Sequence, residues 1–315
     1  MPDAPVVPTV SPDAVAAAYV RIKPHIRYTP VIDLPAGAFG LAHGLALKLE
    51  SLQHSGTFKG RGAFHKLLVS TPGPAGVIAA SGGNHGAAVA YAARTLGHRA
   101  EIFVPTISAP AKVERLRSYG AVVHQVGAVY AEARAASEAR AQETGALTVA
   151  AYDDPEVFVG AGTTALEFEM QTRFDTLMVA VGGGGLIAGC ALWCGARVKV
   201  IAVETEGTPS LHAALAAGRP VDVAISGLAA DALGATRIGA PNFEIARSRV
   251  AGSVLVSDDA VREAQRALWR DLRVMAEPAG AAGLAALMSG AYKPEPGEKV
   301  GVLVCGANLD PASAT

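Results

Sequence analysis

From Gly76 onward, short β-branched and apolar runs alternate with longer stretches of helical periodicity. GVIAAS (76–81) reads as a strand and HGAAVAYAARTLG (85–97) as a helix. The alternation continues through AEIFVP, APAKVERLRSYG, AVVHQV, AVYAEARAASEARAQETG and ALTVAAY, strand and helix in turn. The three helices close on Gly97, Gly120 and Gly145, a residue suited to the left-handed position that ends a helix. It resumes with TLMVAV, GGGGLIAGCALWCGA and VKVIAVE, then a helix around Val261–Asp271, an alanine-rich helix after Pro278 and the strand KVGVLVCG. Leu45–Glu50 reads as an earlier strand. This order predicts an α/β protein whose mostly parallel sheets are covered by helices. Two lobes are expected: a large one from residues 1–75 and 153–315, and a small one, 76–152, inserted in it. No fixed-period repeat is visible.

Apolar residues make up 50% of the 315 positions and charged residues 17%, which excludes disorder and allows a large core. With 27 basic and 28 acidic side chains there is no excess of positive charge for a polyanion, so nucleic acid is not expected as a partner. No charge falls between Asp175 and Arg197, a stretch long enough to cross a bilayer. Gly182–Gly185 near its middle would leave backbone groups unsatisfied in lipid, so a strand, a glycine turn and a buried helix are expected there, and no membrane span. The proline-rich start, residues 1–11, reads as a loose tail without a secretory signal. Cys190, Cys194 and Cys305 form no disulfide framework; a reducing, cytoplasmic setting is expected.

Four constellations could carry chemistry. In SGTFKGRGA, Lys59 lies between Phe58 and Gly60. An aromatic and small neighbours favour partial burial and a neutral amine, able to form a Schiff base or abstract a proton. Alone, it reads as a surface lysine at a helix start capped by Ser55 or Thr57. In ASGGNHG, Ser81, Gly82, Gly83, Asn84 and His85 lie between a strand and a helix, where free N–H groups suit a carboxylate. The plain alternative is a βα turn capped by Asn or Ser, with His85 a structural hydrogen-bonder.

The third constellation, VAVGGGGLIAG (179–189), runs a strand through Gly182, Gly183, Gly184 and Gly185 into a helix beginning near Leu186, a phosphate cradle by geometry. Gly183, Gly185 and Ala188 also fit G-x-G-x-x-A with Glu204 about twenty residues on, which keeps a nicotinamide-dependent oxidoreductase open. No Lys-Ser or Lys-Thr follows, so it is not a Walker loop. In LVCGANLD (303–310), a strand delivers Cys305 to a small-residue turn at a sheet edge, unless the cysteine is simply buried. Cys190 and Cys194 lack the histidine pair of a metal site and are expected in the core.

Taken in order, SGTFKGRGA, SGGNHG, GGGGL and CGAN resemble the fold-type II pyridoxal-phosphate enzymes, a two-lobed architecture like the tryptophan synthase β chain. Within these the chain is similar to the serine/threonine dehydratase group, which includes serine racemase. The resemblance runs from about Ile22 to Asp310. It implies that Lys59 holds pyridoxal phosphate and, once freed, removes the substrate's α-proton. It implies that Phe58 packs beside the ring and that Asn84 bonds its phenolic oxygen. Gly182–Gly185 with Leu186 would bind the phosphate, and Ser81–His85 the substrate carboxylate. Cys305 would face the ring nitrogen; a thiol does not stabilise a protonated ring, which moderates the electron sink. Glu277, in AEPAGAAGL, matches an EP pattern near the cofactor.

The implied reaction is α,β-elimination: a β-hydroxy amino acid such as serine or threonine yields a 2-oxo acid and ammonia. A racemase carries a second catalytic serine where this chain has Gly82, so dehydration is expected over racemisation. Metal-binding relatives place carboxylates in E-x-x-x-A-x-D spacing; here Glu204, Thr208 and Ser210 stand in that run without the last carboxylate, which leaves Glu204 as either a candidate cation ligand or an ordinary strand-end acid. About five residues follow LVCGANLD, so isoleucine feedback through a C-terminal domain is not expected. The resemblance also implies a homodimer. A ligand-binding relative without activity is disfavoured by the intact lysine, and DALGATRIGAPNF (231–243) is a candidate lining of the side-chain pocket.

Overall fold

Residues 10–310 are described by a computed structural model. The chain opens with α1 (Pro12–Ile22), β1 (Val31–Leu34), β2 (Leu45–Leu49) and α2 (Lys59–Ser70). There follow β3 (Val77–Ala80), α3 (Asn84–Thr95), β4 (Ala100–Val104), α4 (Pro110–Ser118), β5 (Val122–Gln125), α5 (Tyr130–Thr144) and β6 (Leu147–Thr148). Next come α6 (Pro155–Gln171), β7 (Thr176–Ala180), α7 (Gly185–Cys194), β8 (Lys199–Thr205), α8 (Ser210–Ala217) and α9 (Ala230–Leu233). The last elements are α10 (Ala240–Arg249), β9 (Gly252–Val256), α11 (Asp258–Leu272), α12 (Pro278–Met288) and β10 (Val300–Val304).

The larger sheet runs β1-β2-β10-β7-β8-β9, with β1 antiparallel at one edge and every other pairing parallel. The smaller sheet, β5-β4-β3-β6, is wholly parallel. Both are the helix-covered α/β layers that the alternation predicts. Ligands of such sheets bind at the carboxyl ends of the strands. There β7 releases Gly182–Gly185, β10 releases Cys305 and β3 releases Ser81–Gly83.

Two readings change. The expected tail ends earlier than residue 11: Ser11 caps α1 by accepting the N–H of Ala14, while residues 1–9 lie outside the described part. The strand read over ALTVAAY is only Leu147–Thr148. One more ladder bond, from the Val149 N–H to the Ile78 carbonyl, ends the pairing. Beyond it the chain turns away, which places Ala151 and Tyr152 at the site described below. No helix among the described residues is long and apolar enough to cross a membrane, and α7 has ten residues.

The central helix, α6, is buried over most of its length and lies against α2 on one side and α7 on the other. Glycines set both distances. A Cβ on Gly160 would stand 2.8 Å from the Arg61 carbonyl, and one on Gly162 would stand 2.5 Å from the Gly189 carbonyl. A buried ionic network ties α2 and α6 to the end of β2. Arg61 donates to Glu50 at 2.7 and 2.8 Å and to Glu167 at 2.8 Å, while Lys48 donates to Glu167 and to Gln171, each at 2.6 Å. Two cations face two carboxylates with almost no exposure, so removing any one would strand a buried charge.

Candidate active site

Lys59 is the first residue of α2, preceded by the turn Ser55–Thr57, in which Ser55 itself has a positive φ. Phe58 is the N-cap and no side chain caps the helix; the hydroxyls of Ser55 and Thr57, expected as caps, are buried without a hydrogen-bond partner among the described residues. The Lys59 side chain enters a cleft between the sheets, where Nζ donates to the Ala151 carbonyl at 2.8 Å and stands 5.3 Å from the Phe58 ring centroid. Burial lowers the amine's pKa to about 8, against the partial opposition of Cys305 and Glu277.

The cleft is lined by Phe58, Lys59 and Asn84, by Gly182–Gly185 with Leu186, and by Glu277 and Cys305. Each of these was singled out in the sequence. Tyr152, Leu233 and Ala279 also line it. The Tyr152 ring fills the place of a side chain on Gly183, where a Cβ would lie 2.2 Å from it. Gly184 has φ +90° and sits against Asn242 and Ile238, so an L side chain there meets both strain and contact. The first intrahelical bond of α7 runs from the Ala188 N–H to the Gly184 carbonyl. The N–H groups of Gly185, Leu186 and Ile187 therefore have no partner within the helix, a ready acceptor of anionic oxygen.

Asn84 is the first residue of α3, with Gly83 as N-cap, so neither Asn nor Ser caps this turn. Its Nδ2 donates to Glu277 Oε1 at 2.7 Å, and its Oδ1 accepts from Asn308 Nδ2. The Asn308 N–H donates to Glu277 Oε2 at 3.0 Å, and its Nδ2 also donates to the Ser55 carbonyl at 2.9 Å. Asn308 thus ties three of the four constellations together. It stands in the CGAN run, where only the cysteine drew attention. Burial raises the Glu277 pKa to about 7, although both donors favour its charged form.

Other predicted residues lie elsewhere. Ser81 Oγ accepts the Gly83 N–H at 3.3 Å, and Ser81, Gly82 and Gly83 flank the cleft at the start of α3 without lining it. His85 is buried and its ring is bonded to the Val149 carbonyl at 2.9 Å, so its side chain is turned away from the cleft. Burial, then the Lys59 charge, lowers its pKa to about 4, leaving it neutral. Burial holds the Cys305 thiol protonated, well above its ordinary value. Cys190 and Cys194 are core residues.

Glu204 is fully buried and accepts the N–H groups of Leu211 and His212 at 2.8 and 2.7 Å, so it caps α8. A ribose hydroxyl cannot reach it, which removes the support for a nicotinamide site. Among the described residues no cluster of three or more His, Cys, Asp or Glu side chains could hold a metal ion.

The residues present fit pyridoxal phosphate. Its aldehyde needs an amine that gives up its proton near neutrality, and Lys59 is one. Its phosphate needs converging N–H groups on a backbone free of side chains, which Gly182–Gly185 supply beside that lysine.

Comparison with known proteins agrees with this geometry. Residues 22–306 match the family described as pyridoxal-phosphate dependent enzyme. The chain is 37% identical to a phenylserine dehydratase of Ralstonia pickettii, over 97% of this chain and 96% of that one. It is 37% identical to the L-threonine dehydratase biosynthetic IlvA of Escherichia coli, over 90% of this chain but 57% of that protein's length. Among solved structures, maize serine racemase superposes with a TM-score of 0.91 at 30% identity, covering 96% of this chain and 95% of that one.

Proposed function

Because the chain belongs to the family of pyridoxal-phosphate dependent enzymes, we propose that it is a dehydratase acting on a β-hydroxy amino acid. The reaction expels the β-hydroxyl as water with loss of the α-proton, and hydrolysis of the unsaturated amine then gives a 2-oxo acid and ammonia. One observation carries the reading: an amine with pKa about 8 shares a cleft with a glycine cradle.

When bound, the cofactor supplies an electron sink for the pair left on the α-carbon. The chain's own groups do the rest. Lys59 is the base for the α-proton, since a substantial share of its amine is neutral at pH 7–8. The start of α3 offers the substrate carboxylate the N–H groups of Gly82 and Asn84, since those of Ser81 and Gly83 are taken by the Phe103 carbonyl and by Ser81 Oγ. Asn84, held by Glu277 and Asn308, keeps one amide hydrogen for the cofactor's ring oxygen. Cys305, protonated, offers the ring nitrogen no negative charge.

The likeness to maize serine racemase favours a second reading, racemisation at the same carbon. Gly82 weighs against it. A Cβ there would meet nothing closer than 3.5 Å, so the site has room for a side chain yet carries no hydroxyl at that position.

The test is ammonia and 2-oxo acid release from serine, threonine, 3-hydroxyaspartate and β-phenylserine, with chiral analysis of the residual amino acid. Ammonia from at least one of them, lost in Lys59→Ala, is expected. Release from none, or inversion without ammonia, overturns the proposal.

A further inference from the structure

The glycine cradle is held in shape by two buried side chains behind it. Ser210 Oγ donates to the Gly182 carbonyl at 2.7 Å. Asn242 Nδ2 donates to the Gly183 carbonyl at 2.9 Å, and the Gly239 N–H approaches the same oxygen at 3.2 Å. Both side chains belong to residues with no exposed surface. A peptide unit is planar and trans, so its N–H points opposite to its carbonyl. Fixing the Gly182 carbonyl toward Ser210 therefore turns the Gly183 N–H away from Ser210, and fixing the Gly183 carbonyl toward Asn242 does the same for the Gly184 N–H. Glycines need such restraint, because without a Cβ each peptide could rotate at little cost.

The two anchors are themselves braced. Ser210 lies 3.2 Å from Glu204 Oε1, and Glu204 is fixed by the first N–H groups of α8. Asn242 also donates to the Tyr152 carbonyl at 2.9 Å, which ties the cradle to the ring that covers Gly183. Asn242 Oδ1 is buried with no partner among the described residues, so the amide works there through its donor side.

We propose that Ser210 and Asn242 are positioning residues that aim the N–H groups of the cradle, and so set this chain's preference for a phosphorylated ligand over its phosphate-free counterpart. The proposal rests on the dehydratase reading only in taking pyridoxal phosphate as the ligand.

The test titrates the full chain, stripped of cofactor, with pyridoxal phosphate and with pyridoxal, and compares the two Kd values. Ser210→Ala is expected to weaken pyridoxal phosphate about tenfold while leaving pyridoxal within about twofold. Asn242→Ala reads the neighbouring carbonyl by the same ratio and serves if the first variant does not fold. Equal weakening of both ligands, or no change in the ratio, overturns the proposal. If the unsubstituted chain itself shows no preference for the phosphorylated ligand, the cradle reading fails with it. Preference in the unsubstituted chain that both variants keep defeats only the role of the two anchors.

Discussion

At Lys59 the fold withdraws an amine from water and offers it one neutral acceptor, the Ala151 carbonyl, rather than a carboxylate. Burial penalises the ammonium form and brings the pKa from 10.5 to about 8. At pH 7 about one molecule in ten then carries the neutral amine, against about one in three thousand for an ordinary lysine. A lowered pKa means that protons leave as pH rises, so the competent form grows through the window around 8. The rate at which the stripped protein captures pyridoxal phosphate is expected to rise about fivefold between pH 7 and pH 8 and to level off above pH 9. Stopped-flow absorbance would check it; a rise that continues unchanged to pH 10.5 would show an exposed lysine. This residue was legible in the sequence through the order of the four motifs, since alone it reads as a surface lysine at a helix start. Asn242 and Ser210 were not: their work is to turn backbone carbonyls, and no residue type announces which carbonyl it will meet. Asn308 stood inside a quoted motif, but its bonds to Ser55, Asn84 and Glu277 span up to 253 positions and exist only in the fold.

Among the elements, α6 sets how far the amine lies from the cradle. It touches α2, which begins at Lys59, and α7, which begins at Gly185, and it contacts both across glycines. Gly162→Ala would press a methyl group against the Gly189 backbone, where neither helix has a flexible end to give. Loss of about 1–3 kcal/mol of stability is expected from overpacking. Because α7 must move relative to α2, weaker cofactor retention should accompany it. Thermal unfolding with and without added pyridoxal phosphate would measure both effects, and an unchanged Tm would mean that the helices slide apart freely. The sequence did not reveal this helix. Its residues are apolar or small on nearly every face, so α6 carries no amphipathic period to read. The strands and helices from Gly76 to Gly145 were legible for the opposite reason: glycine stops with φ near +75° punctuate them, at Gly97, Gly120 and Gly145. β6 was overread because the apolar run continues after the pairing stops; strand propensity does not say where a partner ends.

Over the whole molecule, the smaller sheet reaches across the cleft by one face of α4. Lys112 and Arg115, three residues apart and so on one side of the helix, grip different parts of the opposite wall. Arg115 donates to the Ser55 carbonyl in the turn that leads to Lys59. Lys112 pairs with Asp231 on α9, whose neighbours Ala232 and Leu233 line the cleft. The first contact is partly buried; the second is exposed on both sides, so it is screened by salt and is worth about 0.2–1 kcal/mol. A contact of that size cannot hold the protein together, but it can bias how often the mouth of the cleft is closed over a substrate. Asp231→Asn is therefore expected to raise KM up to about fivefold with little loss of stability. The unsubstituted enzyme in about 1 M salt, where the screening length is about 3 Å, should approach the same KM. The exchanged pair Lys112→Asp with Asp231→Lys should recover most of the loss, because the attraction depends on opposite charge and not on which wall carries which sign. Steady-state kinetics on these three proteins at low and high salt decides it: a KM that ignores both the substitution and the salt would mean that α4 holds the cleft through Arg115 alone.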